Sequence, residues 1–364
     1  MRYPPSLAAR AFGSVPALLQ LLKSESNCMK VIVTGAAGFI GFHVSNRLLQ
    51  DGHEVLGIDN LNDYYEVSLK EARLTELCKH SGYEFQQFGV EESDKLLRAT
   101  QQFLPDRFIH LGAQAGVRYS VTNPEVYIKS NVDGFLAVLE ACRKTKQSHL
   151  VYASSSSVYG LNSKTPFSVQ DHADHPASLY AATKRANELM AHCYSHLYSI
   201  PTTGLRFFTV YGPYGRPDMA PALFTKAVFK GEAIRVFNNG QMRRDFTFVT
   251  DIVESVVRVM DRIPGGEATG EDGNFMPGMS SAPYRVYNVG NGSPVELMDF
   301  IAAIEKATGI KANLKMEEMQ PGDVVQTFAD TRDLQRDIDF APSTDIQHGV
   351  NKYVEWYRSY YEIG

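Results

Sequence analysis

The chain has 364 residues, enough for one large core or two closely joined domains. It is 44% hydrophobic and 21% charged with a net charge of −5, an ordinary globular balance that gives no electrostatic reason for a nucleic-acid or membrane partner. The four scattered cysteines form no CxxC pair and the ten histidines no HExxH or His-x-His cluster, which argues against a disulfide framework and a metal site and for free thiols in the cytoplasm.

Residues 1–28 read as an N-terminal extension, disordered or mis-started. The apolar patch Val15–Leu22 is interrupted by Pro16 and Gln20, and Met29 directly precedes the first strand pattern. No run approaches the roughly 20 apolar residues that span a bilayer. Val31, Ile32 and Val33 then form a short β-branched run, as expected of a strand covered on both faces. Gly35, Gly38 and Gly41 follow at intervals of three, and Phe39, Ile40, Phe42, Val44, Leu48 and Leu49 continue as an amphipathic helix. The spacing allows a sharp exit from the strand, close approach of a pyrophosphate and tight helix packing. A second strand over 52–59 ends in Asp59-Asn60. Asp59 lies 18 residues after Gly41, where a carboxylate would hold the adenosine ribose and repel a 2′-phosphate, so NAD is favoured over NADP. A ligand-free glycine turn followed by a solvated aspartate is the plainer alternative.

Further along, the pattern predicts a helix over 67–79, a strand over 83–88, a helix over 93–102 and a strand over 105–112. A loop over 112–118 contains Gln114 and Arg118; one long helix runs from Asn123-Pro124 to Lys144, and a strand covers 148–153. This alternation argues for a doubly wound parallel sheet. The strand ends in Ser154-Ser155-Ser156-Ser157, and Ser178 opens a helix carrying Tyr180 and Lys184 on one face. A nearby ammonium favours ionisation of a phenol, whose unperturbed pKa is roughly 10, so this pair suits proton transfer. A surface Tyr/Lys pair is the plain reading of the same spacing.

Gly35-x-x-Gly38-x-x-Gly41, Ser-Ser-Ser-Val-Tyr-Gly and Tyr180-x-x-x-Lys184 resemble the extended short-chain dehydrogenase/reductase superfamily over residues 29–364. Within it the chain is similar to nucleotide-sugar 4-epimerases, and among them to the UDP-glucuronate 4-epimerase family. That likeness is carried by Asp59–Tyr65, His110–Arg118, Tyr180–Asn187 and Leu205–Asp218. The resemblance implies a Rossmann fold with a smaller C-terminal α/β substrate domain, tightly held NAD, a UDP-sugar substrate and a homodimer. NAD would lie on Gly35, Gly38, Phe39, Ile40, Gly41, Asp59, Asn60, Gln114, Tyr180 and Lys184. Residues 29–205 would form the NAD-binding domain and 206–364 mainly the sugar domain, with segments near 206–212, 245–251 and 284–290 returning to the first.

Tyr180 would remove the sugar O4 proton, Lys184 would lower its pKa and hold the nicotinamide ribose, and Ser155 would bind O4, with Ser156 and Ser157 as alternatives. Arg118, Thr209, Arg244 and, near the uridine ribose, Asp323 would complete the substrate side. Arg216 could pair with a substrate carboxylate, a diphosphate or a backbone turn. The family's acid after the third strand is absent, since Gly89 stands there with Glu91 and Glu92 nearby. Related decarboxylases and dehydratases place carboxylates after the catalytic Ser or Thr, where this chain has Ser156-Ser157. That favours epimerisation of UDP-glucuronate over decarboxylation or dehydration. A 4-epimerase of UDP-glucose or UDP-N-acetylglucosamine is the near alternative, and a non-catalytic NAD-binding regulatory protein the distant one. Toward the C-terminus, a strand begins at 201, helices are expected over 222–230 and 350–361, a flexible surface loop over 265–283, and a strand over 284–290 that returns to the main sheet.

Overall fold

The computed structural model describes residues 28–266, 276–319 and 324–363. Apart from Cys28, the expected N-terminal extension lies outside the described residues, as does Asp323. Seven strands form the main sheet: β1 (Lys30–Thr34), β2 (Glu54–Asp59), β3 (Tyr83–Gln87), β4 (Arg107–His110), β5 (Leu150–Ser155), β6 (Thr202–Phe207) and β7 (Tyr284–Val289). Their order is β7-β6-β5-β4-β1-β2-β3 and every pairing is parallel. This is the expected α/β doubly wound sheet. Chain order reverses between β1 and β4, which leaves a crevice at their carboxyl ends.

The helices that matter are α1 (Phe39–Gln50), α2 (Val67–Leu77), α3 (Ser93–Phe103), α4 (Gly134–Thr145), α5 (Leu179–Tyr198), α6 (Val249–Asp261) and α7 (Ile346–Tyr360). On one face of the sheet, Val31, Val33, Ile109 and Val151 pack with Val44 and Leu48 of α1 and Ile252 and Val256 of α6. On the other, Ile32, Leu56, Phe108 and Leu150 meet Leu96, Val138 and Ala191 of α3, α4 and α5. Two-sided burial explains why the β1 sequence is continuously apolar instead of alternating. A separate core around Phe246, Phe300, Ile304, Val350 and Tyr353 serves the C-terminal part.

Three local expectations change. The predicted helix over 123–144 contains a π-helical segment, Ile128–Asp133, between Pro124–Tyr127 and α4. The wider turn departs from the 3.6-residue period, and Asn131 within it is buried. The strand begun at 201 divides: β6 stays in the main sheet, whereas Thr209–Tyr211 pairs in parallel with Phe246–Phe248. The 276–283 end of the expected flexible loop is also packed. Ser280 and Ala282 are buried, Met279 bridges to Arg285, and Val286 donates to the Gly278 carbonyl. This segment covers the outer edge of β7.

Two histidines are sealed into the fold in the neutral form. His110 pairs with Thr34 Oγ1 at 2.7 Å, and His149 lies between the Met260 carbonyl and Thr203 Oγ1. Burial lowers their pKa from 6.5 to about 3 and about 4, respectively. Their contribution to stability is therefore full above pH 6.5 and is lost as pH falls toward 4. Each adds on the order of 1.4 kcal/mol per pH unit to the decline between those limits. Urea unfolding of His149→Gln at pH 7 and pH 5 should show a shallower decline than wild type; equal slopes would contradict this assignment.

Candidate active site

The carboxyl ends of β1, β2, β4 and β5 open into a cleft of about 480 Å³. Its floor is the β1–α1 turn. Gly35 has φ +70°, and the Gly38 amide donates to the Gly35 carbonyl at 2.9 Å. A Cβ on Gly41 would lie 2.0 Å from that carbonyl. No side chain among the described residues caps α1 at Gly38, so its first amides are available as phosphate donors beside Phe39 and Ile40. Asp59, at the end of β2, accepts from the Ala37 and Leu61 amides at 3.2 and 2.9 Å. Burial raises its carboxyl pKa, opposed by these amides and by Lys70. Asn60, Tyr64 and Tyr65 line the adjoining wall. These features fit a dinucleotide: a phosphate cradle kept open by glycine, with a carboxylate on the ribose side.

The opposite wall is polar. Ser155 Oγ accepts from the Ser157 amide and hydroxyl at 3.2 and 2.9 Å. Ser178 caps α5 by accepting from the Ala181 amide, which brings Tyr180 into the first turn and Lys184 one turn later. Ser155, Ser156, Ser157, Tyr180 and Lys184 all line the cleft. Burial raises the Tyr180 pKa, while the nearby Ser155 hydroxyl and Arg216 oppose the shift. Lys184 is buried. Its Nζ donates to the Ala153 carbonyl at 3.0 Å, and burial lowers its pKa to about 8. Arg216, which lines the same cleft, is a cation whose charge favours the phenolate.

Thr209, Arg216 and Arg244 complete the substrate-side lining. Arg244 lines the cleft, whereas its neighbour Arg243 pairs with Glu296. Arg118 is the exception: it is exposed, stands over the Phe237 ring at 5.1 Å and is missing from the lining. The expected contact at Asp323 falls outside the described residues, though neighbouring Val324 lines the cleft. At Gly89, the Glu91 carboxylate folds back over the position a Cβ would occupy.

Sequence reasoning missed Asn131. Its side chain holds both the amide and the carbonyl of Gln114, at 2.8 and 3.0 Å, and also donates to Thr183 of α5. Asn187 in turn donates to the Asn131 carbonyl. Its neighbours Lys129, Ser130 and Asp133 are polar, so the local sequence gives no sign that Asn131 is buried. It also missed Asp218, which holds Arg216 through two hydrogen bonds.

The fold and cleft define a dinucleotide-binding α/β protein with Ser155, Tyr180 and Lys184 lining the same cleft as the glycine turn. The chain belongs to the NAD dependent epimerase/dehydratase family, which it matches over residues 31–290. It is 46% identical to UDP-glucuronate 4-epimerase 2 of Arabidopsis thaliana, over 93% of this chain and 78% of that one. It superposes with a TM-score of 0.79 on the UDP-glucuronic acid 4-epimerase of Bacillus cereus in complex with UDP-glucuronic acid and NAD. That match has 30% identity and covers 92% of this chain and 100% of the other. The UDP-glucose 4-epimerase of Thermotoga maritima with UDP-glucose also gives 0.79, at 26% identity and the same coverage. Backbone likeness alone therefore does not choose between a uronate and a neutral hexose.

Proposed function

We propose that the protein is an NAD-dependent 4-epimerase interconverting UDP-glucuronate and UDP-galacturonate. The observation that carries this reading is the convergence of Ser155, Tyr180 and Lys184 on the same cleft as the β1–α1 phosphate cradle, without a carboxylate at 156 or 157. Bound NAD would accept a hydride from C4 of the sugar and return it to the other face. Gly35, Gly38, Phe39, Ile40 and Gly41 would cradle its diphosphate, Asp59 and Asn60 its adenosine ribose, and Gln114 the nicotinamide side.

Tyr180 takes the O4 proton and later returns it. Ser155 is assigned to O4 because its hydroxyl is the one beside the phenol. Lys184 holds the nicotinamide ribose. Arg216 favours the phenolate, against the effect of burial. Ser156, Ser157, Thr209 and Arg216 receive the sugar carboxylate, and Arg244 the UDP phosphates. The position after the catalytic serine carries a hydroxyl where a carboxylate would be needed to promote loss of CO₂ or water. Arg118 is assigned to the substrate side by the family motif alone.

In the same reading, residues 29–205 bind NAD and 206–364 mainly bind the UDP-sugar. Segments near 206–212, 245–251 and 284–290 belong with the first part; the pairing of β7 with β6 supports the last of these. A cytoplasmic location is supported by four free thiols. A homodimer formed through α4 and α5 is supported by the exposure of Leu136, Leu189 and Leu197.

Two outcomes follow. Tyr180→Phe should keep its NAD but lose roughly 10²–10⁴-fold in turnover of UDP-glucuronate, followed by NMR; near-normal turnover would remove Tyr180 as the base. Leu189→Glu should shift the sedimentation profile from dimer to monomer, and an unaltered dimer would exclude α5 from the interface.

A further inference from the structure

We propose that Asp218 is a positioning residue that fixes Arg216 in the cleft and ties it, through Tyr64, to the loop on the cofactor side. The inference rests on the reading of Arg216 as the partner of the substrate carboxylate.

Arg216 donates from Nε and Nη2 to the two oxygens of Asp218, at 3.0 and 2.5 Å. Such a fork fixes the plane of the guanidinium as well as its place. No described residue accepts from Nη1, so a carboxylate in the cleft meets the guanidinium by its remaining edge. Asp218 Oδ2 also accepts from the Tyr64 hydroxyl at 3.1 Å. Tyr64 comes from the loop after β2, and its ring packs on Tyr119 at 4.7 Å. A Cβ on Gly116 would lie 2.8 Å from its hydroxyl. Two segments of the cleft wall therefore meet at one carboxylate, and a third packs on Tyr64. The arginine is charged with or without this partner, so Asp218 contributes orientation, not protonation.

Orientation matters because oxidation of C4 turns a uronate into a β-keto acid. Loss of CO₂ breaks the C5–C6 bond. Its electron pair passes into the C4 carbonyl as an enolate, and C5 then takes a proton. The breaking bond must align with the carbonyl π system, so a carboxylate whose carbon is held near the plane of that carbonyl by a fixed guanidinium resists this step. A guanidinium free to swing allows it.

The test incubates NAD-loaded wild type, Asp218→Asn and Arg216→Gln with UDP-glucuronate and measures UDP-pentose and its 4-keto precursor against UDP-galacturonate by NMR. Asp218→Asn should raise the decarboxylated share about tenfold and raise KM more than it lowers kcat, with NAD content unchanged. Asp218→Glu, which restores a carboxylate, should reverse part of the rise. An unchanged share in Asp218→Asn, with a raised share in Arg216→Gln, would overturn the positioning role alone. Unchanged shares in both would overturn the carboxylate reading of Arg216. If Asp218→Asn does not fold, Tyr64→Phe decides, because it removes one hydrogen bond and leaves the ion pair. It should raise the share about threefold, and no rise would overturn the proposal.

Discussion

A side chain at position 41 has nowhere to go, because its Cβ would stand 2.0 Å from the Gly35 carbonyl oxygen. A Cβ at Gly35 would in turn meet the Gly112 amide nitrogen at 2.7 Å. Backbone therefore touches backbone where β1 gives way to α1 and where β4 gives way to its loop. This contact brings the start of α1 down to the sheet edge and leaves its first amides facing the cleft. It also sits at the reversal of strand order, so the phosphate cradle and the crevice are products of the same close approach.

The other wall depends on polar groups buried behind it. Glu188 of α5 accepts from Ser154 of β5 at 2.6 Å and from Arg206 of β6 at 2.8 Å through each oxygen. Both charged side chains are fully buried. Burial alone would push the Glu188 carboxyl up, but Arg206 and Ser154 outweigh it and hold the pKa below its usual value. Removing one partner of such a pair costs about 3–5 kcal/mol. The pair locks α5 to two strands and thereby fixes the positions from which Tyr180 and Lys184 enter the cleft. Ser154 is thus committed to the scaffold, while Ser155, one residue on and on the other face of the strand, remains for the site. Asn131 completes the arrangement by tying the 112–116 loop to α5.

The sheet was legible because its inner strands are buried on both faces and its glycines fall at spacings that few other arrangements require. Tyr180 and Lys184 were legible because a four-residue separation places them on one face of a helix. Contacts made across the chain were not. Nothing in a 3.6-residue pattern marks the π turn that buries Asn131. Arg118, which the family motif places on the substrate side, also lies over Phe237, a contact remote in sequence. The same applies to Lys184: helical spacing fixes its direction, but whether the ammonium meets Tyr180 or the Ala153 carbonyl is decided by the neighbouring strand. The choice of substrate is the hardest to read, because both uronate and neutral-hexose epimerases share this backbone. In the proposed reading it turns on a few hydroxyls and one arginine.

The central claim is that this cleft carries a hydride and a proton away from C4 of a UDP-uronate and returns them without loss of the carboxylate. The most direct measurement is a proton NMR time course of the purified protein with UDP-glucuronate and no added cofactor. Appearance of UDP-galacturonate, without UDP-pentose, is the predicted result and would mean that NAD is carried through purification. UDP-xylose or its 4-keto precursor as the main product would contradict the account, as would no conversion of UDP-glucuronate when NAD is supplied.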